Sequence, residues 1–304
     1  MLRILVLGAA AGGGLPQWNC NAINSASFWR GDQPLQAATQ CSIAVTADGS
    51  SWALVNASPD IRAQIIARRE LHPRAPEEYG LRDSPVRSVL LTNGDIDHIA
   101  GLLTLRERHA FDLFATAEIH RVLSGNPIFN ALDPELVKRR ETAPNAPFEI
   151  VPDLQAELFP VPGKVPLFLE GDAVVTDLIG EQTVGVRLSA ADRTVFFIPG
   201  CARLTAELRD KLQQGDVLFF DGTVFHDDEM QREGVGQKTG RRMGHMPMSG
   251  DDGSLQAFRD IDIGRKIYIH INNTNPVWRP HSPERQEAEA AGWEIAFDGM
   301  EITL

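Results

Sequence analysis

The sequence predicts an α/β protein in which two mixed β-sheets pack face to face, with helices on their outer faces. Three observations lead there. Short apolar runs with strand character outnumber helical segments by about two to one. The strand runs come as meanders, and helices are inserted between only some of them, which argues against the strict alternation of a doubly wound parallel sheet. No fixed-period repeat, low-complexity tract or Pro/Ser-rich linker divides the chain. Residues 1–304 are therefore expected to form a single domain.

Strands are expected at 3–7, 42–46, 51–56, 88–91, 112–115, 149–151, 156–160, 173–178, 183–188, 194–198, 217–220, 266–271, 293–297 and 301–304. Each is a brief apolar or alternating run bounded by turn residues. Arg3 and the apolar run behind it have the outline of a short secretion signal. A run of that length closed by Gly8 is also what a buried first strand requires, and that reading is preferred. Helical periodicity marks 60–70, 99–108, 117–123, 205–214, 254–261 and 284–291. Ser58-Pro59-Asp60 reads as a helix start, and Gly80 and Gly292 as helix stops. The stretch 225–253, rich in Gly, Met and charge, is expected to be a long loop of the kind that often carries function.

Composition narrows the function. Hydrophobic residues make up 43% of 304, enough to fill a large core. Lys and Arg number 29 against 41 Asp and Glu, a net charge of −12 with no basic run. Such a chain is a poor partner for a phosphate backbone or an anionic membrane surface, so neither is expected to bind. No apolar run approaches the roughly 18 residues of a membrane span. Cys20, Cys41 and Cys201 are few, odd in number and far apart, which suits a reducing cytoplasm.

The glycine run Gly8–Gly14 fails as a dinucleotide-binding fingerprint. The third glycine of G-x-G-x-x-G would fall on Gln17, and Pro16 blocks the helix that should follow. A flexible loop is expected instead. Three other places repeat one pattern, an apolar strand with an acid or imidazole at its tip, and a fourth candidate lies in the long loop. After 88–91 comes Thr92-Asn93-Gly94-Asp95-Ile96-Asp97-His98, where the acids also suit a helix N-terminus. Val217–Phe220 ends in Asp221, which alone would read as a turn residue. His270 stands in the run Ile267–Ile271, where a lone histidine is often just a hydrogen-bonded core residue. His245 sits between Gly244 and Met246 in the long loop. Carboxylates and neutral imidazoles converging on one sheet edge are the donors a divalent ion requires.

These motifs resemble the metallo-β-lactamase superfamily, whose pattern is H-x-H-x-D-H after a strand, then a bridging Asp and a late His. Here it reads Asn93-x-Asp95-x-Asp97-His98, with Asp221 and His270 at the later positions. Within that superfamily the chain resembles the pyrroloquinoline quinone biosynthesis protein B family over essentially its whole length. The segments carrying this are Pro16–Asn21, Ile198–Ala202, Phe220–Thr223, Lys238–Gly240 with Met243–Met246, His270–Pro276 and Phe297–Met300. The fold implied is an αββα sandwich.

The resemblance also shows departures. Asn93 and Asp95 stand where the two-metal enzymes carry histidines, and Phe159–Lys164 lacks the mid-chain histidine. One metal site is thereby lost, and the other keeps Asp97, His98 and His270, with Asp221 beside it. Many relatives carry three cysteines near Trp18 at a spacing suited to structural zinc. Here Cys20 is accompanied by Ala22 and Ser25, so a three-thiolate site cannot form.

Two imidazoles and one or two carboxylates around one ion resemble the facial set of non-haem Fe(II) oxygenases. Fe(II) is the expected metal, with zinc a competitor in purified protein and O2 the co-substrate. His98 and His270 are read as ligands, with Asp97 and Asp221 supplying charge directly or through water. Asp95 is a further ligand or an orienting partner. His245 is the candidate proton donor or acceptor, with His226 an alternative in the same loop. Lys238, Arg241 and Arg242 are the candidate substrate-binding cations. The family implies synthesis of the quinone cofactor by oxygen insertion into the tyrosine ring of a cross-linked Glu–Tyr precursor. The substrate would be a small tyrosine-derived diamino acid, and other proteins of the same biosynthesis are candidate partners. A carrier of the cofactor toward the periplasm and a metal-dependent hydrolase are the alternatives.

Overall fold

The computed structural model of the protein describes residues 1–31, 34–171 and 174–304. Fourteen strands are named among the described residues: β1 Arg3–Gly8, β2 Ser42–Thr46, β3 Trp52–Val55, β4 Val86–Leu90, β5 Phe111–Ala115, β6 Val137–Glu141, β7 Phe148–Val151, β8 Leu154–Pro160, β9 Val184–Ala190, β10 Arg193–Ile198, β11 Gly215–Asp221, β12 Ile263–Ile269, β13 Trp293–Ile295 and β14 Glu301–Thr303. They form two seven-stranded sheets, ordered β14-β1-β2-β3-β4-β5-β6 and β13-β12-β11-β10-β9-β8-β7. Each sheet is antiparallel over one half and parallel over the other. Parallel pairing runs through β3 to β6 and through β10 to β13. This is the mixed α/β sandwich that the sequence predicts.

The central strands are apolar on both faces, because one face meets the other sheet and the other is covered. Every residue of β2 and β3 is buried, and β11 is buried except for Asp216. Helix Ile61–Ile66 packs on β1, and helix Pro283–Ala290 on β13. One apolar cluster runs through both sheets. No described helix is long and apolar enough to cross a membrane.

Several expectations change. Strand β6, Val-Lys-Arg-Arg-Glu, is not anticipated, because as an edge strand its last four residues face solvent and leave no apolar alternation. The run expected at 173–178 begins at a residue outside those described. Over 174–178 there is no strand, and Leu178 makes only an isolated bridge to Gly163. Helix Ile23–Arg30 is also unforeseen, since tertiary bonds hold its weak helix formers: Asn24 Nδ2 donates to the carbonyls of Asn273 and Asn275, both at 2.8 Å. The long loop 225–253 contains a short helix, Glu229–Arg232.

The parallel strands set the site. β4, β11 and β12 all run toward one sandwich edge, where their following loops meet. Bridges Ala10 to Ile271 and Asn93 to Thr183 stitch the two sheets together there.

Candidate metal centre

The turn after β4 leads through Asp95 into a single helical turn, Ile96–Ile99. Two backbone bonds dock it: Ala57 N donates to the His98 carbonyl, and Gly101 N to the Ala57 carbonyl, both at 2.8 Å. His98 is thereby buried at the sheet edge. Its Nδ1 lies 2.7 Å from Asn93 Oδ1, which also accepts from the Asp95 N–H at 3.0 Å. That backbone donor fixes the amide with its oxygen inward, so Nδ1 of His98 must carry the proton. Nε2 is left as a bare acceptor, buried and without a hydrogen-bond partner. It points toward Asp97 Oδ2 at 3.7 Å.

His270 does not lie within a strand. It is the first residue beyond β12 and adopts a left-handed φ of 57°, an unusual conformation for a residue with a Cβ. That turn brings Nε2 to 3.1 Å from Asp97 Oδ2, while Nδ1 meets Thr223 Oγ1 at 2.9 Å. Ligand atoms of Asp97, His98 and His270 all lie within 4.8 Å of one another.

Asp221, at the end of β11, is fully buried. Its Oδ1 accepts from the Thr223 N–H at 3.0 Å and the Thr223 hydroxyl at 2.7 Å. Its Oδ2 accepts from the Cys201 N–H at 2.8 Å and His245 Nδ1 at 2.7 Å. With both oxygens engaged, Asp221 orients His245 and leaves Nε2 as the nitrogen available to the cleft. Asp221, His245 and His270 form a second close group of donors that shares His270 with the first. The His245 and His270 rings stack at 5.3 Å.

The electrostatics suit a cation. Burial pushes the Asp97 carboxyl up, but His98 and His270 outweigh it and hold the group well below the usual carboxylate range. Burial drives His98 down to about 4, against the pull of Asp97, so it stays neutral. His270 is raised despite its burial, because Asp97 accepts its hydrogen bond and attracts its proton. Asp95 is raised by burial and by the nearby Asp97. A half-buried carboxylate between a neutral imidazole with a bare Nε2 and an imidazole drawn to positive charge is a donor set that fits a divalent ion.

A cleft of about 270 Å³ opens onto these groups, lined among others by Gly12, Asp95, Asp97, His98, Lys164, Lys238, His245 and His270. Of the candidate cations, Lys238 reaches it. Arg241 and Arg242 do not line it: Arg241 pairs with Asp252 at 2.8 Å and Arg242 with Glu170 at 3.1 Å. His226 is likewise outside that lining, 3.8 Å from Glu284. Three participants escaped sequence reasoning. Gly12, in the glycine run read only as a flexible loop, faces the Asp97 side chain, which an added Cβ would touch at 3.6 Å. Thr223 stands in a segment that carries the family resemblance, yet the sequence assigns no role to it or to Lys164.

The chain is similar to known proteins over its full length. The model of the beta-lactamase superfamily domain matches residues 51–271. A coenzyme PQQ synthesis protein B from Ruegeria pomeroyi is 58% identical over 100% of both chains. One from Rhizobium meliloti is 54% identical over 100% of this chain and 98% of its own. The chain belongs to the coenzyme PQQ synthesis protein B family. The crystal structure of Zn(2+)-bound PqqB from Methylobacterium extorquens superposes with a TM-score of 0.96 at 50% identity, covering 99% of this chain and 100% of that one. In this member of the synthesis protein B family, hydrogen bonds hold the turn in which Cys20 is followed by Ala22 and Ser25. Cys20 Sγ accepts from Ala22 N at 3.3 Å and Asn273 Nδ2 at 3.2 Å, and the three cysteines are separate, buried thiols.

Proposed function

We propose that this protein acts in the synthesis of pyrroloquinoline quinone as a mononuclear iron(II) oxygenase, inserting oxygen into the tyrosine-derived ring of a small diamino acid. His98 and His270 through Nε2, and Asp97 through its carboxylate, would hold the metal. What supports one ion rather than two is Asn93: it stands where the two-metal pattern has a histidine, and its side chain is committed to fixing the tautomer of His98. Asp221 is likewise committed to Thr223, Cys201 and His245. Iron(II) held by two imidazoles and one carboxylate would supply O2 activation.

The remaining roles belong to the chain itself. Asp221 holds Nδ1 of His245, so His245 can take or give a proton at Nε2 within the cleft. Asp95, raised by burial and by Asp97, acts as a proton reservoir or an orienting acceptor beside it. Lys238 supplies positive charge for a substrate carboxylate. Residues 1–304 serve this reaction as one domain.

The test is oxygen consumption. Protein loaded anaerobically with Fe(II) should take up O2 with a tyrosine-derived diamino acid, and zinc-loaded protein should not. No uptake together with retained quinone binding would replace this reading by that of a carrier. The zinc in the Methylobacterium relative favours a second reading, a zinc hydrolase, which predicts activity with zinc and none that depends on O2.

A further inference from the structure

Charge is distributed unevenly around the cleft. Its metal side carries Asp95, Asp97 and three imidazoles, and the two lysines of its lining are Lys164 and Lys238. Lys164 is firmly placed. Its carbonyl accepts from Thr183 Oγ1 at 3.0 Å. Its stem lies against Gly244, where an added Cβ would meet Lys164 Cγ at 3.2 Å. Its side chain is 13% exposed, and its ammonium is 2.9 Å from Glu170 Oε1. The other Glu170 oxygen pairs with Arg242 Nη2 at 3.1 Å.

Glu170 is thus shared by two cations, an excess of one positive charge at that carboxylate, and Lys164 also acts on the nearby Asp95. Lys238 has no ion pair among the described residues and adds to that excess. In a protein of net charge −12, a cationic wall on a cleft marks where an anion is received. Donor arithmetic agrees: an ammonium has three N–H groups, and Lys164 Nζ donates to the Val165 carbonyl at 3.2 Å while its pairing with Glu170 is ionic, so donors remain for a ligand. Arg242 is held on the far side of Glu170 and serves to balance it.

We propose that Lys164, anchored by Glu170 and assisted by Lys238, forms a carboxylate-binding subsite, so that an amino acid docks its carboxylate on this wall and its ring toward His98 and His270. This rests on the reading of the cleft as the substrate site given above. It shifts recognition from the arginines after Gly240 to a lysine on the opposite segment. Lys164 is a binding and orienting residue, with no part in proton transfer.

Two matched probes test it: 3,4-dihydroxyphenylalanine and dopamine, which differ only in the carboxylate. Their dissociation constants are measured on zinc-loaded protein under argon, so that no turnover occurs. The parent protein should bind the amino acid about tenfold more tightly or better, as expected for one charge-assisted hydrogen bond. Lys164→Met should abolish that preference while leaving dopamine binding unchanged, and Lys164→Arg should retain part of it. Lys238→Met, at a half-buried position that tolerates exchange, should reduce it independently. A parent protein with no carboxylate preference overturns the proposal. So does a Lys164→Met protein that keeps the preference or weakens both probes equally. A preference that depends on Lys164, in protein that consumes no O2, sustains this subsite while removing the oxygenase reading. O2 uptake with a preference indifferent to Lys164 does the reverse.

Discussion

Asn93 and His98 are joined by a hydrogen bond of 2.7 Å that decides which imidazole nitrogen faces the cleft. Partners that orient a ligand histidine commonly contribute 10–100-fold in metal affinity. Asn93→Ala should therefore weaken metal binding by about that factor, while the circular dichroism spectrum stays unchanged. Asn93→Asp retains an acceptor and should lose much less. Chelator competition reads both, and equal affinity in all three proteins would show that Asn93 does not orient a ligand.

Thr223 ties the two histidine groups together. Its hydroxyl donates to Asp221 Oδ1 and accepts from His270 Nδ1. Thr223→Val keeps the shape and deletes both bonds, leaving buried polar atoms under-satisfied. A destabilisation of about 2 kcal/mol is expected in urea titrations, accompanied by weaker metal binding. Thr223→Ser should recover the binding.

Gly101 sets the docking of the His98 turn. A Cβ there would fall 2.1 Å from the Ser58 carbonyl oxygen and 2.7 Å from that of Ala57, both rigid backbone. Gly101→Ala should cost about 3 kcal/mol by overpacking. It should also shift His98, so reduced metal content is expected even where the variant folds. A melting temperature equal to the parent's would contradict the close approach.

Glu229 gives a pH dependence with a definite sign. It accepts from Thr274 Oγ1 and the Phe225 N–H, and burial pushes it from 4.5 up to about 7. Below pH 4.5 the folded and unfolded chains are both protonated. Between 4.5 and 7 the unfolded chain releases the proton and the folded one retains it, so stability falls as pH rises through this window. The full loss is on the order of 3 kcal/mol. Glu229→Gln should remove most of that slope and be relatively more stable at pH 8 than at pH 5. Chemical denaturation at the two pH values reads the difference, and an equal effect at both would refute the buried carboxyl.

Metal should stabilise the fold, because the three donors converge only in the native state. At a free ion concentration of about 100 times Kd the gain is about 2.7 kcal/mol. The melting temperature should rise with added Zn(II) or Fe(II) and return with EDTA. Asp97→Ala and His270→Ala should abolish the response, whereas His245→Ala should preserve it.

The sequence by itself determined the layered architecture, because a strand buried on both faces must be a short apolar run, and Ser42–Thr46, Ser51–Asn56 and Val217–Phe220 read that way. It also placed Asp97, His98 and Asp221 at strand tips, since residues that leave an apolar strand for a polar turn are visible locally, but it set His270 inside a strand that ends one residue earlier. Strand β6 was illegible because edge exposure erases the pattern that marks a strand. Pairing was decided only in three dimensions. His270 turns into a left-handed conformation to reach Asp97, Asp221 spends both oxygens on Thr223, Cys201 and His245, and Arg242 turns to Glu170 while Lys164 takes the cleft. These partners come from loops up to 173 residues apart. A side chain's chemistry is written in its own residue, but its partner is set by which loops the two sheets bring to a common edge.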